Sequence, residues 1–248
     1  MKVPDSDRNR SWLGKTMTSL GLAGYPAMRI VALAETGTRG LLGAVTGGKG
    51  ERSEVPLARK LVPLLREGML LVADRAYDAA DLLKEAAATG AHVLVRGSAA
   101  RKPPVLEVLP DGSYLSRIDG LRVRIIEAGL DVHGAGGTRL GDSCRLITTL
   151  LDWRRYPAVE LVRLYHERRE IEVTYLALRH TLPGGYVLRS RDRAGAEQEV
   201  RALLTIYQML RMAMTAATGS VPGTDPDRAS FTAALETARE QVITAHGI

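Results

Sequence analysis

The sequence is short of cysteine: its 248 residues contain one, Cys144. A lone thiol excludes an internal disulfide framework and a cysteine-based zinc site. Five scattered histidines supply no metal-finger pattern in its place. Cys144 has no histidine-based activating pattern beside it and precedes a β-rich stretch, so a buried, inert thiol is expected. Aromatic residues are also scarce, at 4% with a single phenylalanine, which argues against a protein that binds single strands by stacking their bases. No apolar run reaches the roughly 18 residues that a membrane span requires. The first twenty residues carry Asp5, Asp7, Arg8 and Arg10 where a secretory leader has an apolar core. Neither a leader nor a membrane partner is therefore expected.

What is present is an ordinary globular composition, 45% hydrophobic and 25% charged, enough for one large domain or two small ones. The charge balance is not ordinary. Thirty-four Lys and Arg against 28 Asp and Glu leave a formal charge of +6, most of it arginine. Such an excess fits a polyanionic partner, nucleic acid being the commonest, and arginine is the better residue for bidentate phosphate contact.

Residues 1–27 are polar and read as irregular. Met28–Ala34 and Gly40–Val45 flank a turn at 35–38 and predict a β-hairpin. Apolar spacing predicts a helix over 54–66. The continuous apolar run Met69–Ala73 predicts a buried strand, followed by a helix over 78–89 and a strand over 91–96. A strand–helix–strand unit implies α/β architecture with a parallel pair. Hairpin signals at Pro110-Asp111-Gly112 and Asp119-Gly120 separate strands expected over 105–109, 114–118 and 121–127. A glycine-rich loop over 129–142 and a strand over 145–151 complete a stretch that is either an antiparallel β insertion or an extension of the sheet. One long helix is expected over 158–180 and a second over 197–217. A linker at 219–228 and a short helix over 229–244 follow.

Two places carry candidate chemistry. Asp74 directly follows the predicted buried strand, where α/β folds place ligand-binding groups; the same carboxylate also suits a turn or a helix cap. The second place is the helix expected over 158–180. On an unbroken helix, offsets from Tyr165 put Arg168, Glu172 and Arg179 at about 300°, 340° and 320°, so all four share one face. An apolar stripe of Leu164, Ile171, Tyr175 and Leu178 adjoins it, which predicts a half-buried Glu172. A helix laced with surface ion pairs such as Arg168–Glu172 fits the same residues equally well.

The stretch LYHERREIEVTYLALRHTL at 164–182 resembles the signature of the DDE transposases of bacterial insertion sequences, the "IS four" family. The family pattern of Tyr, Arg, Glu and Lys reads here as Tyr165, Arg168, Glu172 and, in the Lys position, Arg179. LLVADRAYD around Asp74 resembles the segment of the family's second Asp. LPDGSYLS at 109–116, RLITTLLD at 145–152, YPAVEL at 156–161 and VLRSRDRAGAEQEV at 187–200 also resemble family segments. Arg169 stands where the family often has Trp.

The resemblance implies a ribonuclease-H-like mixed sheet with flanking helices and a β-rich insertion. Residues 1–96 and 152–218 would form the core, 97–151 the insertion, and 219–248 a linker and C-terminal helix. It implies metal-dependent cleavage of DNA ends and strand transfer, with two Mg²⁺ ions (or Mn²⁺) between three carboxylates. Asp74 and Glu172 match the second and third of these, as catalytic residues and metal ligands. Tyr165, Arg168 and Arg179 match residues that contact phosphates of the transposon end. The implied partners are double-stranded DNA, as transposon ends and target, and a second copy in a homodimer. The implied location is the bacterial cytoplasm, at the nucleoid. The family's first Asp lies at the end of the first core strand, shortly before a segment like VPDSDRNR. That segment is residues 3–10 here, so the first strand and its Asp are expected to be missing. Glu35 follows the strand expected over 28–34 and has no counterpart in the family pattern. A DNA-binding remnant without catalysis, or an inhibitor of an intact transposase, is the second reading.

Overall fold

Ser6 opens the first helix: its hydroxyl accepts the Asn9 N–H (3.2 Å), and α1 runs Asp7–Leu13, where irregular chain was expected. The computed structural model describes residues 1–19, 21–50, 53–133, 139–166, 168, 170–182, 187–224 and 229–246. They fall into two units, one of Met1–Arg52 with Arg169–Ile248 and one of Ser53–Arg168.

The first stretch of the discontinuous unit continues with a minimal hairpin, β1 (Met17–Thr18) and β2 (Gly21–Leu22). The larger hairpin predicted from sequence follows, with β3 (Arg29–Ala34) antiparallel to β4 (Leu41–Gly47) from Arg29↔Gly47 to Ala34↔Leu41.

In the continuous unit, α2 covers only Val55–Arg59 and gives way to a 3-10 turn at Val62–Leu64. Pro56 suits the start of the helix, but Pro63 has no N–H to continue it, so the single helix expected over 54–66 is not formed. β5 (Leu70–Ala73), α3 (Ala80–Ala88) and β6 (His92–Arg96) form the expected unit, with β5 and β6 parallel from Leu70↔His92 to Ala73↔Val95. The strands that follow extend this sheet. They are β7 (Glu107–Val108), β8 (Tyr114–Ile118), β9 (Leu121–His133) and β10 (Arg139–Thr148), and the six-stranded order is β5-β6-β10-β9-β8-β7. The loop expected over 129–142 is mostly strand: Gly129 pairs with Ser143 and His133 with Arg139. The alternating β-formers around Gly129 and Gly141 carry the pairing through both glycines. Residues 134–138 of that expected loop lie outside the described residues.

The unit closes with α4 (Ala158–His166) on the sheet. Its Leu161 and Tyr165 pack with Leu94, Ile126, Cys144, Leu146 and Leu150, and Leu70 and Val72 of β5 lie against the same cluster. Cys144 is buried, as expected. Burying each of the larger apolar side chains contributes about 1.5–3 kcal/mol.

The discontinuous unit resumes with α5 (Glu170–Leu176), a π-helical turn at Ala177–Thr181, α6 (Arg193–Gly219) and α7 (Phe231–His246). The π turn shows in the Leu182 N–H donating to the Ala177 carbonyl (2.9 Å), five residues back. The helix expected over 158–180 is thus described as α4, α5 and this turn. Arg169, the break at 183–185 and residues 225–228 of the expected linker lie outside the described residues. Val3, Leu13 and Met28 share a core with Leu188, Ala196 and Val200. Asn9, fully buried, donates from Nδ2 to the carbonyls of Pro4 (3.0 Å) and Ser190 (3.1 Å). Among the described residues no helix is long and apolar enough to cross a membrane.

Candidate active site

Asp74 ends the parallel strand β5 and opens a 3-10 turn at Arg75–Tyr77, its Oδ1 accepting the Ala76 N–H (2.8 Å). It is half-buried. The capping role is therefore real, and the second carboxylate oxygen accepts no hydrogen bond among the described residues.

The turn is anchored four residues on by a residue that sequence reasoning missed. The Asp78 side chain is 1% exposed and accepts the Ser98 N–H (2.7 Å) and Arg101 Nε (2.9 Å). Arg101 is held from its other side as well. Its carbonyl accepts from Arg145 Nη1 (2.5 Å). The segment after β5 is thus clamped to the segment after β6. The only sequence signal was a second Asp within the turn.

Tyr165 is 5% exposed and its hydroxyl has no hydrogen-bond partner among the described residues. Burial pushes the phenol up to about 12; the positive charge of Arg168 opposes this, and Cys144 and Asp74 add to it. The Arg168 guanidinium carbon lies 5.2 Å from the Tyr165 ring centroid. The continuous unit therefore brings together Asp74, Tyr165 and Arg168.

Glu172 and Arg179 belong to the other unit. Glu172, on α5, is exposed where a half-buried position was expected. The expectation carried one helical phase from Tyr165, whereas α5 starts afresh at Glu170 and turns Thr174, Ala177 and Leu178 inward. Arg179 lies in the π turn, and its side chain is outside the described residues. Glu35 is engaged in its own loop, accepting from the N–H groups of Gly37 (2.7 Å) and Thr38 (2.6 Å) and from the Thr38 hydroxyl (2.6 Å).

Among the described residues no three His, Cys, Asp or Glu side chains stand together as a metal site. Carboxylates are the right donors for a hard divalent cation. The two matched carboxylates lie in separate units, however, and do not by themselves make the three-carboxylate set.

A family model described as a transposase DDE domain matches residues 1–209. The chain belongs to the DDE transposase family. The matched span runs from the polar segment at 3–10 to beyond the middle of α6, and it holds Asp74, Tyr165, Arg168, Glu172 and Arg179. A curated member of the family, the transposase InsG for insertion sequence element IS4 of Escherichia coli (strain K12), is 26% identical over 261 residues. That alignment takes in 99% of this chain and 57% of InsG, so the chain spans just over half the length of its relative. Among solved structures, a piggyBac transposase synaptic complex with hairpin DNA matches with a TM-score of 0.55 at 11% identity. It covers 90% of this chain and 47% of that one. That likeness speaks for the fold, a mixed α/β architecture with a six-stranded mixed sheet.

Proposed function

We propose that this chain acts on double-stranded DNA as a DDE transposase, cleaving transposon ends and transferring the strand to target DNA. The observation that carries this reading is a half-buried carboxylate, Asp74, at the C-terminal end of a parallel strand. The same unit holds the buried Tyr165, whose ring centroid lies 5.2 Å from the Arg168 guanidinium carbon, all within the family-matched residues. In this reading Asp74 and Glu172 are two catalytic carboxylates and would hold Mg²⁺ or Mn²⁺. The metal would supply charge stabilisation for phosphoryl transfer. Tyr165, Arg168 and Arg179 orient the end by its phosphates, which fix register without reading sequence. The core is ribonuclease-H-like, formed by 1–96 and 152–218 around the insertion 97–151, and two copies bridge the transposon ends.

The third carboxylate belongs, in this reading, to a first core strand beside β5. In support, β5 is the last strand of its sheet and pairs only with β6 among the described residues. Its four residues are all apolar and only half-buried.

A second reading, a DNA-binding remnant or an inhibitor of an intact transposase, is favoured by one observation: no three-carboxylate group exists among the described residues. One experiment separates the two. A labelled transposon-end duplex is incubated with the chain and Mg²⁺ or Mn²⁺, alongside Asp74→Asn and Glu172→Gln. Cleavage lost in both variants supports the enzyme. Salt-sensitive binding without cleavage, unchanged in both variants, supports the remnant. A chain that neither binds nor cleaves the duplex overturns both.

A further inference from the structure

Among the described residues two arginines are buried, and their surroundings differ. Arg124 has a polar partner for each of its three nitrogens: Nε donates to Ser113 Oγ (2.7 Å), Nη1 to the Tyr156 carbonyl (2.6 Å) and Nη2 to Asp111. Arg211, on α6, is 2% exposed, and among the described residues only its Nε has a partner, the Tyr207 hydroxyl at 3.1 Å. Neither Nη1 nor Nη2 meets an acceptor. The Tyr207 hydroxyl is already engaged, donating to the Arg39 carbonyl (2.8 Å) and lying 3.1 Å from Thr174 Oγ1. The guanidinium carbon stands 5.4 Å from the Tyr207 ring and 5.1 Å from the Phe231 ring, and the two rings stack 5.3 Å apart.

A guanidinium does not escape burial by losing its proton. Contact with two ring faces offsets part of the desolvation. It leaves the N–H groups on both Nη atoms without acceptors, and a buried charge left in that state is strongly unfavourable. The two Nη groups form a planar fork that matches a pair of oxygens on one oxyanion.

We propose that Nη1 and Nη2 of Arg211 form a recognition fork for a phosphate oxyanion, closed over by the first turns of α7. Phosphate is the class that suits a strongly basic chain and a planar donor pair. The cover is light. α7 docks through Phe231 and Leu235, with Ala234 and Ala238 partly buried, while its later residues Val242 and Ile243 are 59% and 50% exposed. A helix held by its first two turns opens more readily than the core beneath it, and its release uncovers the fork. Arg211 and α7 lie beyond residues 1–209 of the family match, and the fork uses none of the residues given a role in the reaction proposed above.

The test is thermal unfolding of the full chain in sodium phosphate against sodium chloride at matched ionic strength. Phosphate is expected to raise the midpoint saturably in the wild type and to leave Arg211→Met unmoved. Equal midpoints in the two salts for the wild type, or the same phosphate shift in Arg211→Met, overturn the proposal. If Arg211→Met does not fold, Arg211→Lys keeps the charge but loses the fork. Its half-saturating phosphate concentration is expected to rise about tenfold or more, and an unchanged value overturns the proposal. The source of the phosphate is separated by binding to a random-sequence duplex. If Arg211→Met weakens this binding and lowers its salt slope by about 1, the ligand is a DNA backbone phosphate. If duplex binding is unchanged while inorganic phosphate still protects the wild type, the ligand is a free phosphate compound. Cleavage plays no part in any readout, so failure of the transposase reading leaves this test intact.

Discussion

Asp111, in the turn between β7 and β8, and Arg124 of β9 form an ion pair, with the arginine side chain fully buried and the carboxylate 16% exposed. Asp111 also accepts the Ala158 N–H (3.2 Å), one of the donors that the first turn of a helix leaves unpaired. The pair therefore fixes the start of α4, the helix that carries Tyr165. Asp111→Ala is expected to destabilise the protein by about 3–5 kcal/mol, because it strands a buried guanidinium. Replacing both partners by apolar residues of similar volume is expected to cost much less. Urea unfolding of the two variants checks both statements.

Acid is expected to weaken the protein through the same group. Burial raises the Asp111 carboxyl, but hydrogen bonds from the Ser113 hydroxyl and amide, the charge of Arg124 and the Ala158 N–H outweigh it, and the net shift is below the ordinary 3.8. Burial likewise raises Glu199, and hydrogen bonds from Ser190 and Arg189 bring it below 4.5. A carboxyl depressed in the folded state stabilises above its unfolded value, and that contribution disappears as pH falls through the folded value. Unfolding midpoints are expected to stay level from neutral pH to about 5 and then drop. Asp111→Asn should show a shallower drop than the wild type.

Alkali acts through Tyr165 with the opposite sense. Its folded value of about 12 lies above the ordinary 10, so the neutral phenol is favoured in the folded chain. That stabilisation is complete below pH 10 and is lost as pH rises towards 12. Tyr165→Phe removes a hydroxyl that has no hydrogen-bond partner among the described residues and is expected to unfold within about 1 kcal/mol of the wild type at neutral pH. Its alkaline loss should be smaller than that of the wild type, the remainder coming from groups such as Tyr114, which burial also raises.

The Asp78–Arg101 clamp is expected to behave as a buried pair. Asp78→Ala should cost about 3 kcal/mol and leave the Ser98 amide without its acceptor. Hydrogen exchange at residues 74–78 and 98–101 is expected to accelerate well beyond that of β9. Uniform acceleration across the chain would contradict a local clamp.

Much of this was legible in the residues themselves. The run Leu70–Ala73 followed by an alanine-rich helix and His92–Arg96 announced a parallel pair, because continuous apolar strands need both faces covered. Asp74 could be placed at a strand end for the same reason. The parts that misled depend on what composition hides. Glycine suggested a loop where β9 and β10 pair through Gly129. A phase counted from Tyr165 assumed one unbroken helix and so misjudged the exposure of Glu172. Asp78 was expected only as the first residue of a helix, whereas Ser98 and Arg101, twenty and more positions away, close on it ahead of α3.

The division of the chain sets an order of assembly during synthesis. Val3, Leu13 and Met28 leave the ribosome well before the residues that complete their core, Leu188, Ala196 and Val200. Ser53–Arg168 is contiguous and can bury its own sheet meanwhile. Residues 1–52 can close their own hairpins, but the apolar side chains that join this core wait uncovered through the translation of an entire unit. They are the part of the newborn chain with most need of a chaperone.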